Sequence, residues 1–547
     1  MSQSASLAGI LGAPVRICYD GPVMDIHRSL HAIDLVVIAV YVTVLIGIGM
    51  WVSFRRRGAE DLFLAGRSLS WPNVGLSIFG TNVSPSFMIA ACGVAYSTGM
   101  VSANFEWLAW WFLMLLAMLF VPHYLATNIS TIPQFMQRRF GGATHDFLSW
   151  YTLFTTIVLW LGGTLYASGV LLGQIMDWPL WFSVLVLTVI ATSFTVAGGL
   201  AAVVITDSFQ SILIIGGSAA LTGIALAKVG SIDAVVHGVP ADFWQLIRPR
   251  SHPDFPWHAM FLGYPVLGIW FWCTDQTIVQ RVLGAKDLRQ GQLGAVFAGF
   301  LKILPPFIFL LPGILCRVLH PGLEDSDAAF MTMVTHHMPV GMVGLIVAVL
   351  IAAVVSTIDS GLNSFSTVFT LDVYVRKLRP SSTSKEIKWV GRLATVAAAG
   401  IAVACALAME TVAKDLFNLL QGVIAFIAPP MAAVFLIGVL WRRATAKAAL
   451  WSLIVGSVVS LTVGVCHFKN WPNEGFWPHY LLVSFYLFVA IALFMTLVSL
   501  LTRKSPEEED LPSIKETYAR AGVESRPIWI LWALLGMIML ALYVVFD

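Results

Sequence analysis

Apolar residues run through this chain in long blocks separated by short polar stretches. A helix rises about 1.5 Å per residue, so a block of about twenty residues crosses the roughly 30 Å hydrocarbon layer of a bilayer. The blocks predict about fourteen membrane helices. They cover 34–54, 70–95, 104–125, 146–174, 177–198, 204–227, 258–282, 292–316, 338–375, 389–410, 415–440, 446–467, 478–502 and 527–546. The expected fold is an all-α polytopic membrane protein, with a single domain over 34–546 after an extracytoplasmic tail, 1–33. That tail lacks the apolar core of a signal peptide, which leaves targeting to the first spanning helix.

Composition agrees with this pattern. Of the 547 residues 58% are hydrophobic and 11% charged, against about 25% charged in soluble domains. A net charge of +2 is too small to suggest a nucleic-acid partner. The lipid bilayer is the expected surrounding, and no obligate protein partner is evident. Of the six cysteines, Cys92, Cys273 and Cys405 fall inside apolar runs and Cys18, Cys316 and Cys466 near segment ends. That scatter is neither a disulfide framework nor a metal-binding spacing. No nucleophile–base pair stands out, so nothing predicts an enzyme or an organic cofactor.

Basic residues orient the helices. Arg55, Arg56, Arg57 and Arg67 follow the first, and Arg138 and Arg139 the third. Arg281, Lys286 and Arg289 follow the seventh, and Arg376, Lys377, Arg379, Lys385 and Lys388 the ninth. Arg442, Arg443 and Lys447 follow the eleventh, and Arg503 and Lys504 the thirteenth. These clusters fall on one side, which places both termini outside the cytoplasm of a multi-pass plasma or inner membrane protein. The acidic run Glu507 to Asp510 reads as a solvated loop.

Two helices carry interruptions: Gly80, Asn82, Ser84 and Pro85 break the second, and Pro265 and Gly268 stand in the seventh. Non-helical backbone is tolerated at membrane depth only where it lines a cavity or is buried in protein. A matched pair of interrupted helices points to a transporter's central site. Most of the intramembrane ionisable groups are Glu106, Asp207, Asp275, Lys302 and Asp359, joined by the amide Gln421. Glu106 and Lys302 either pair with one another or, with Asn82 and Gln421, hydrogen-bond a polar uncharged solute. Trp270, Phe271 and Trp272 suit stacking on a ring, though aromatics this dense also serve as core or belt. His336 and His337, at the outer end of the ninth helix, point to different faces and read as solvated rather than metal-binding.

The most informative stretch is Ala352 to Tyr374, which has helical length yet carries Ser356, Thr357, Asp359, Ser360, Asn363 and Ser364. At about 100° per residue, Ala353, Ser356, Thr357 and Ser360 share one face. Hydroxyls beside a carboxylate suit a small hard cation, which takes oxygen ligands. The same residues would also serve as close-packing contacts between helices.

The strings DLFLAGRSLSWP (61–72), GGLAAVVITDSFQ (198–210), FWCTDQTIVQR (271–281), STIDSGLNSFSTVFTLDVY (356–374) and PPMAAVFLIGVLWRR (429–443) resemble the sodium:solute symporter family, closest to its sodium/glucose cotransporter branch. The resemblance implies a LeuT-like fold with inverted five-helix repeats, about 70–227 and 258–440. Helices 34–54, 446–467, 478–502 and 527–546 would flank them. It implies a sodium site on the carbonyls of Gly80, Val83 and Ala353 and the hydroxyls of Ser356 and Thr357. For members with a second cation it implicates Asp207, Asp359 and Ser360. Here Asp359 stands where related transporters carry Ser or Thr. Two nearby carboxylates either bind a second cation more strongly or share a proton, since like charges resist joint ionisation.

The resemblance also assigns a sugar site. Asn82, Glu106, Lys302 and Gln421 match the ligands of the sugar hydroxyls. Phe271 matches the ring that stacks beneath the pyranose as inner gate, with Trp272 beside it, and Phe417 resembles an outer-gate residue. Phe87 stands where sugar carriers have Gln or His, and Gly268 replaces a polar residue. Phe87 adds bulk in place of a hydrogen bond, and Gly268 opens space. The implied function is sodium-coupled symport of a glucose-like monosaccharide or related hexose into the cell by alternating access. Inositols, nucleosides, carboxylates and amino acids remain as alternative solutes on the same scaffold.

Overall fold

The computed structural model describes residues 30–55, 58–410, 416–473, 475–504, 511–512 and 514–546, with Ala59 and residues 416–421 described by backbone alone. Residues 1–29, Arg56, Arg57 and the run Glu507 to Asp510 lie outside the described residues, as do the side chains of Phe417 and Gln421. Among the described residues the chain is helical, and its β pairing is a single isolated bridge between Leu69 and Ala285. Eleven helical stretches are long and apolar enough to cross a membrane. Some hold two of the expected segments. Leu180–Val229 has 50 residues, about 75 Å if straight, and it bends at Gly199.

Burial divides the helices into an inner and an outer set. Ala32–Arg55 and Arg526–Val545 expose large apolar side chains such as Val36, Val40, Leu540 and Val544, as lipid-facing helices do. Met342–Val368 is buried over nearly its whole length, hydroxyls and Asp359 included. The hydroxyl-rich stretch therefore lies at the centre of the bundle, where its polar groups can meet other polar groups. The first helix is tied to it by a cap: buried Asp34 accepts hydrogen bonds from the backbone N–H groups of Gly341 and Gly344 at 2.8 and 2.7 Å. A carboxylate at that position satisfies otherwise unpaired amides at a helix N-terminus.

The second segment breaks where expected. Trp71–Asn82 and Pro85–Thr98 are separate helices, with Val83 (φ −88°, ψ 106°) and Ser84 (φ −101°, ψ 156°) extended between them. Proline disfavours helical geometry in the residue before it, and Ser84 then caps the second half by accepting from the Phe87 N–H at 3.2 Å. The seventh segment corrects the expectation. Pro265 and Gly268 both lie within the helix Trp257–Gly268, which continues as a π-helical turn, Ile269–Thr274. The break falls at Asp275 (ψ 131°), whose carboxylate caps Gln276–Leu283 through the Thr277 N–H at 2.8 Å. Gly268 opens no free space, because the Phe112 ring fills it: a Cβ there would lie 2.4 Å from ring carbons.

Two arginines expected as loop charges are buried instead. Arg139 donates to the carbonyls of Gly438, Trp441 and Ala444 at 3.0 to 3.2 Å, closing the C-terminal end of Leu416–Leu440. Arg281 is fully buried in the middle of the bundle. The ninth helix also begins later than expected, at Met342. His336 and His337 end a separate helix, Ala329–His337.

Gly199 shows what the bend requires. Its φ of 56° and ψ of −148° belong to a region that essentially only glycine visits, and a Cβ would lie 2.2 Å from the Leu62 carbonyl oxygen. Gly199→Ala should lower stability by at least about 1–3 kcal/mol, seen as a lower unfolding temperature in detergent. Gly223→Ala, on the same long element with nothing within 4 Å, should leave that temperature unchanged.

Candidate functional site

Four elements meet at Asp207. Its carboxylate is fully buried. One oxygen accepts from Ser356 Oγ at 2.6 Å and the other from Ser77 Oγ at 2.5 Å. The second oxygen also pairs with the Arg281 guanidinium at 3.4 Å. Ser77 belongs to the first half of the interrupted helix, Ser356 to Met342–Val368, and Arg281 to the helix after the second break. A buried carboxylate needs such partners, because an isolated charge at this depth would cost several kcal/mol.

Two of the expected sodium residues, Gly80 and Ser356, lie beside Asp207. Gly80 faces Ser356 so closely that a Cβ would lie 3.1 Å from its Oγ and 2.5 Å from Ser211 Oγ, so only glycine fits. Thr357 Oγ1 donates to the Ala353 carbonyl at 3.0 Å and lies 3.5 Å from the Thr81 carbonyl. Val83, extended and fully buried, closes the helix end. The structure therefore brings Gly80 against Ser356 and Thr81 near Thr357, with Ala353 one turn back on the same helix and Val83 in the break that follows. Because Ser356 donates its hydrogen bond to Asp207, its oxygen lone pairs remain available to a cation.

The three candidates for a second cation, Asp207, Asp359 and Ser360, also adjoin one another, but Arg281 stands among them. Its guanidinium donates to Ser360 Oγ and to the Thr277 carbonyl as well as pairing with Asp207. Ser360 Oγ contacts Thr81 Oγ1 at 3.0 Å and donates to Asp359 Oδ1 at 3.3 Å. Asp359 Oδ2 is buried with no hydrogen-bond partner among the described residues. Arg281 is the residue that sequence reasoning misses at this site. It lies within the expected segment 258–282, yet next to Lys286 and Arg289 it has the look of a cytoplasmic cluster.

A few residues along the break lies a second polar group. Asn82, the last residue of its helix, accepts from Lys302 Nζ through its side-chain oxygen, and Lys302 also pairs with Glu106 Oε2 at 2.5 Å. Lys302 follows Leu288–Leu301, where the helix turns before Pro305 and Pro306. Its ammonium lies 5.0 Å from the centre of the Trp272 ring, within cation–π range. Phe271 meets Trp272 edge-on at 4.7 Å and leans on Trp160 at 5.4 Å. Phe87 packs edge-on against Phe309 at 6.1 Å. Asn82, Glu106, Lys302, Trp272 and Phe271 are thus adjacent, and Phe87 sits in an aromatic setting.

Breaking the central pair should be costly. Arg281→Met would leave Asp207 buried without its positive partner, a loss of about 3–5 kcal/mol. The double variant Asp207→Asn/Arg281→Met should recover most of it, as read by thermal unfolding of purified protein.

Comparison with known proteins fits this geometry. The family model described as sodium:solute symporter family matches residues 62–456. The sodium/mannose cotransporter SLC5A10 of Bos taurus is 34% identical over 492 residues, covering 82% of this chain and 82% of its own length. Sodium/glucose cotransporter 4 of Homo sapiens is 32% identical, covering 89% of this chain and 78% of its own. A Na+-coupled sialic acid symporter, in a substrate-bound outward-open state, superimposes with a TM-score of 0.77 at 20% identity over 87% of this chain and 99% of its own. A nucleobase-cation-symport-1 transporter superimposes at 0.54 with 14% identity, over 86% of this chain and 98% of its own. At these identities the two structures show the fold alone, which is LeuT-like. The chain belongs to the sodium:solute symporter family.

Proposed function

We propose that this protein carries a hexose-like sugar into the cell together with sodium, by alternating access. One observation carries the reading: the break after Asn82 faces both groups of residues. Gly80 precedes it against Ser356, Val83 lies in it, and Asn82 accepts from Lys302, which pairs with Glu106. An ion bound by Gly80, Val83, Ala353, Ser356 and Thr357 would hold the broken helix against Met342–Val368, and so fix the Asn82 amide for a solute. Carbonyl and hydroxyl oxygens suit a hard cation, and sodium is the coupling ion named for the family and its relatives. Each sodium ion brings about 2.3 kcal/mol per 100 mV of membrane potential.

Asn82, Glu106, Lys302 and Gln421 supply the donors and acceptors that sugar hydroxyls need, and Phe271 a ring face on which a pyranose can stack. Phe271 and Phe417 would serve as inner and outer gates. The neighbouring Lys302–Glu106 charges compensate one another, which favours a neutral solute over a carboxylate or an amino acid. Inositols and nucleosides are neutral too and remain the alternative. Asp207, Asp359 and Ser360 are the candidates for a second cation, with Asp359 Oδ2 still lacking a partner among the described residues. Two inverted repeats over about 70–227 and 258–440 are supported by breaks of like kind at Val83–Ser84 and Asp275. The basic loop residues favour both termini outside.

The test is uptake of labelled glucose and mannose into proteoliposomes, with inositol and nucleosides as competitors. Uptake should require a sodium gradient and rise with inside-negative voltage. Thr357→Ala should raise the sodium concentration for half-maximal uptake at least tenfold, about 1.4 kcal/mol, with little change in unfolding temperature. Uptake indifferent to sodium would defeat the reading.

A further inference from the structure

The carboxylate expected at the solute site sits in a piece of helix that its own backbone does little to fix. Glu106 belongs to Ala103–Trp107, five residues or about one and a half turns, which follows the tight turn Gly99–Ser102. In the first turn of a helix the backbone N–H groups have no partner within the helix. Contacts with other elements therefore decide where so short a piece lies. Four consecutive residues, Asn104 to Trp107, make those contacts.

Asn104 is the first. Its side-chain NH2 donates to the carbonyls of Val101 and Leu246, each at 2.8 Å, and its Oδ1 accepts from the Tyr543 hydroxyl at 2.6 Å. Carbonyls only accept, so the amide has one orientation here and both of its polar hydrogens are used. Tyr543 stands near the end of the last membrane helix, Arg526–Val545, and the Phe546 carbonyl just beyond accepts from the Leu246 N–H at 3.2 Å. Next, the Phe105 carbonyl accepts from the hydroxyl of Tyr264 at 2.5 Å, on the helix that leads to Phe271. Glu106 pairs with Lys302, and the Trp107 indole N–H donates to the carbonyl of Ile303, the residue after that lysine, at 3.2 Å. The Trp107 ring is fully buried, 5.7 to 6.1 Å from the rings of Phe307, Tyr543 and Phe546.

We propose that Tyr543 is a positioning residue for the solute site: acting through Asn104, it fixes Glu106 against Lys302. The inference rests on the reading of Glu106 and Lys302 as sugar ligands. Asn104 and Trp107 stand on either side of Glu106, and Tyr543 meets both, the first with its hydroxyl and the second with its ring. A binding site needs its polar groups held to within about half an ångström. Lys302 also reaches Asn82, so a drift of Glu106 would draw the ammonium away from the amide beside the break. The last helix lies outside the proposed repeats and turns Leu540 and Val544 outward. Through Tyr543 it nevertheless sets sugar affinity.

The experiment is equilibrium binding of labelled glucose and mannose, in sodium, to the purified full chain and to Tyr543→Phe. That substitution removes one oxygen and keeps the ring on Trp107. Sugar affinity should fall about fivefold, as the loss of one hydrogen bond allows. Sodium affinity measured without sugar should stay unchanged, and the unfolding temperature should fall little. In a Glu106→Gln background the same change should cost no more than about twofold further, because the hydroxyl acts through Glu106. Equal sugar affinity in the wild type and Tyr543→Phe overturns the inference, since a merely structural tyrosine would lower the unfolding temperature alone. A full fivefold loss on top of Glu106→Gln, or an equal loss of sodium affinity, overturns it too. Wild-type protein that binds neither sugar overturns the sugar reading and the inference with it, so the wild type tells the two failures apart.

Discussion

The carboxylate of Asp207 ties Ser77, Ser356 and Arg281 into one buried hydrogen-bonded group, and each of those residues comes from a different helix. In a membrane the hydrophobic effect gives helices little reason to associate with one another, so packing and polar contacts must do it. Here the polar contact also sets chemistry. By accepting the hydrogen bond of the Ser356 hydroxyl, Asp207 leaves that oxygen's lone pairs uncommitted beside the broken helix. Gly80 permits the approach, since any larger residue would meet Ser211 and Ser356. The same group therefore holds four helices together and sets the Ser356 oxygen beside the backbone break.

The break at Val83–Ser84 would be prohibitive in contact with lipid, because unpaired peptide groups there cost several kcal/mol each. It is sustained by its neighbours: Pro85 needs no donor partner, Ser84 caps the second half-helix, and Val83 is sealed from solvent. The second break is handled in the same way, by the Asp275 cap. What the fold gains is one short piece of backbone adjoining two separate polar groups. Under the proposed function, a restraint on one side of it would be felt on the other, as ion–solute coupling requires.

Much of this was legible in the residue order, for reasons that can be named. Membrane helices announce themselves because lipid demands uninterrupted apolar length. Ser356 and Thr357 were visible because adjacent hydroxyls on a buried apolar helix are costly unless a polar group meets them. Charge was harder to read. Arg139 lies beyond one apolar segment and Arg281 at the very end of another, where topology-setting residues sit, yet both satisfy buried acceptors. Their partners, the carbonyls of Gly438 and Ala444 and the Asp207 carboxylate, are far away in sequence, so no local pattern announced them. Pro265 failed in the opposite sense. The π-helical turn that follows it absorbs the irregularity, and the true break sits at Asp275.

The central claim is that one broken helix carries the influence of sodium to the solute. Thermodynamic linkage makes the claim symmetrical: if sodium raises the affinity for solute by some factor, solute must raise the affinity for sodium by the same factor. The direct measurement is equilibrium binding to the purified protein, titrating sugar with and without sodium and sodium with and without sugar. The account predicts equal factors in the two directions, and the loss of both in Ser356→Ala. Sugar binding of the same strength in sodium and in a sodium-free choline buffer would contradict it.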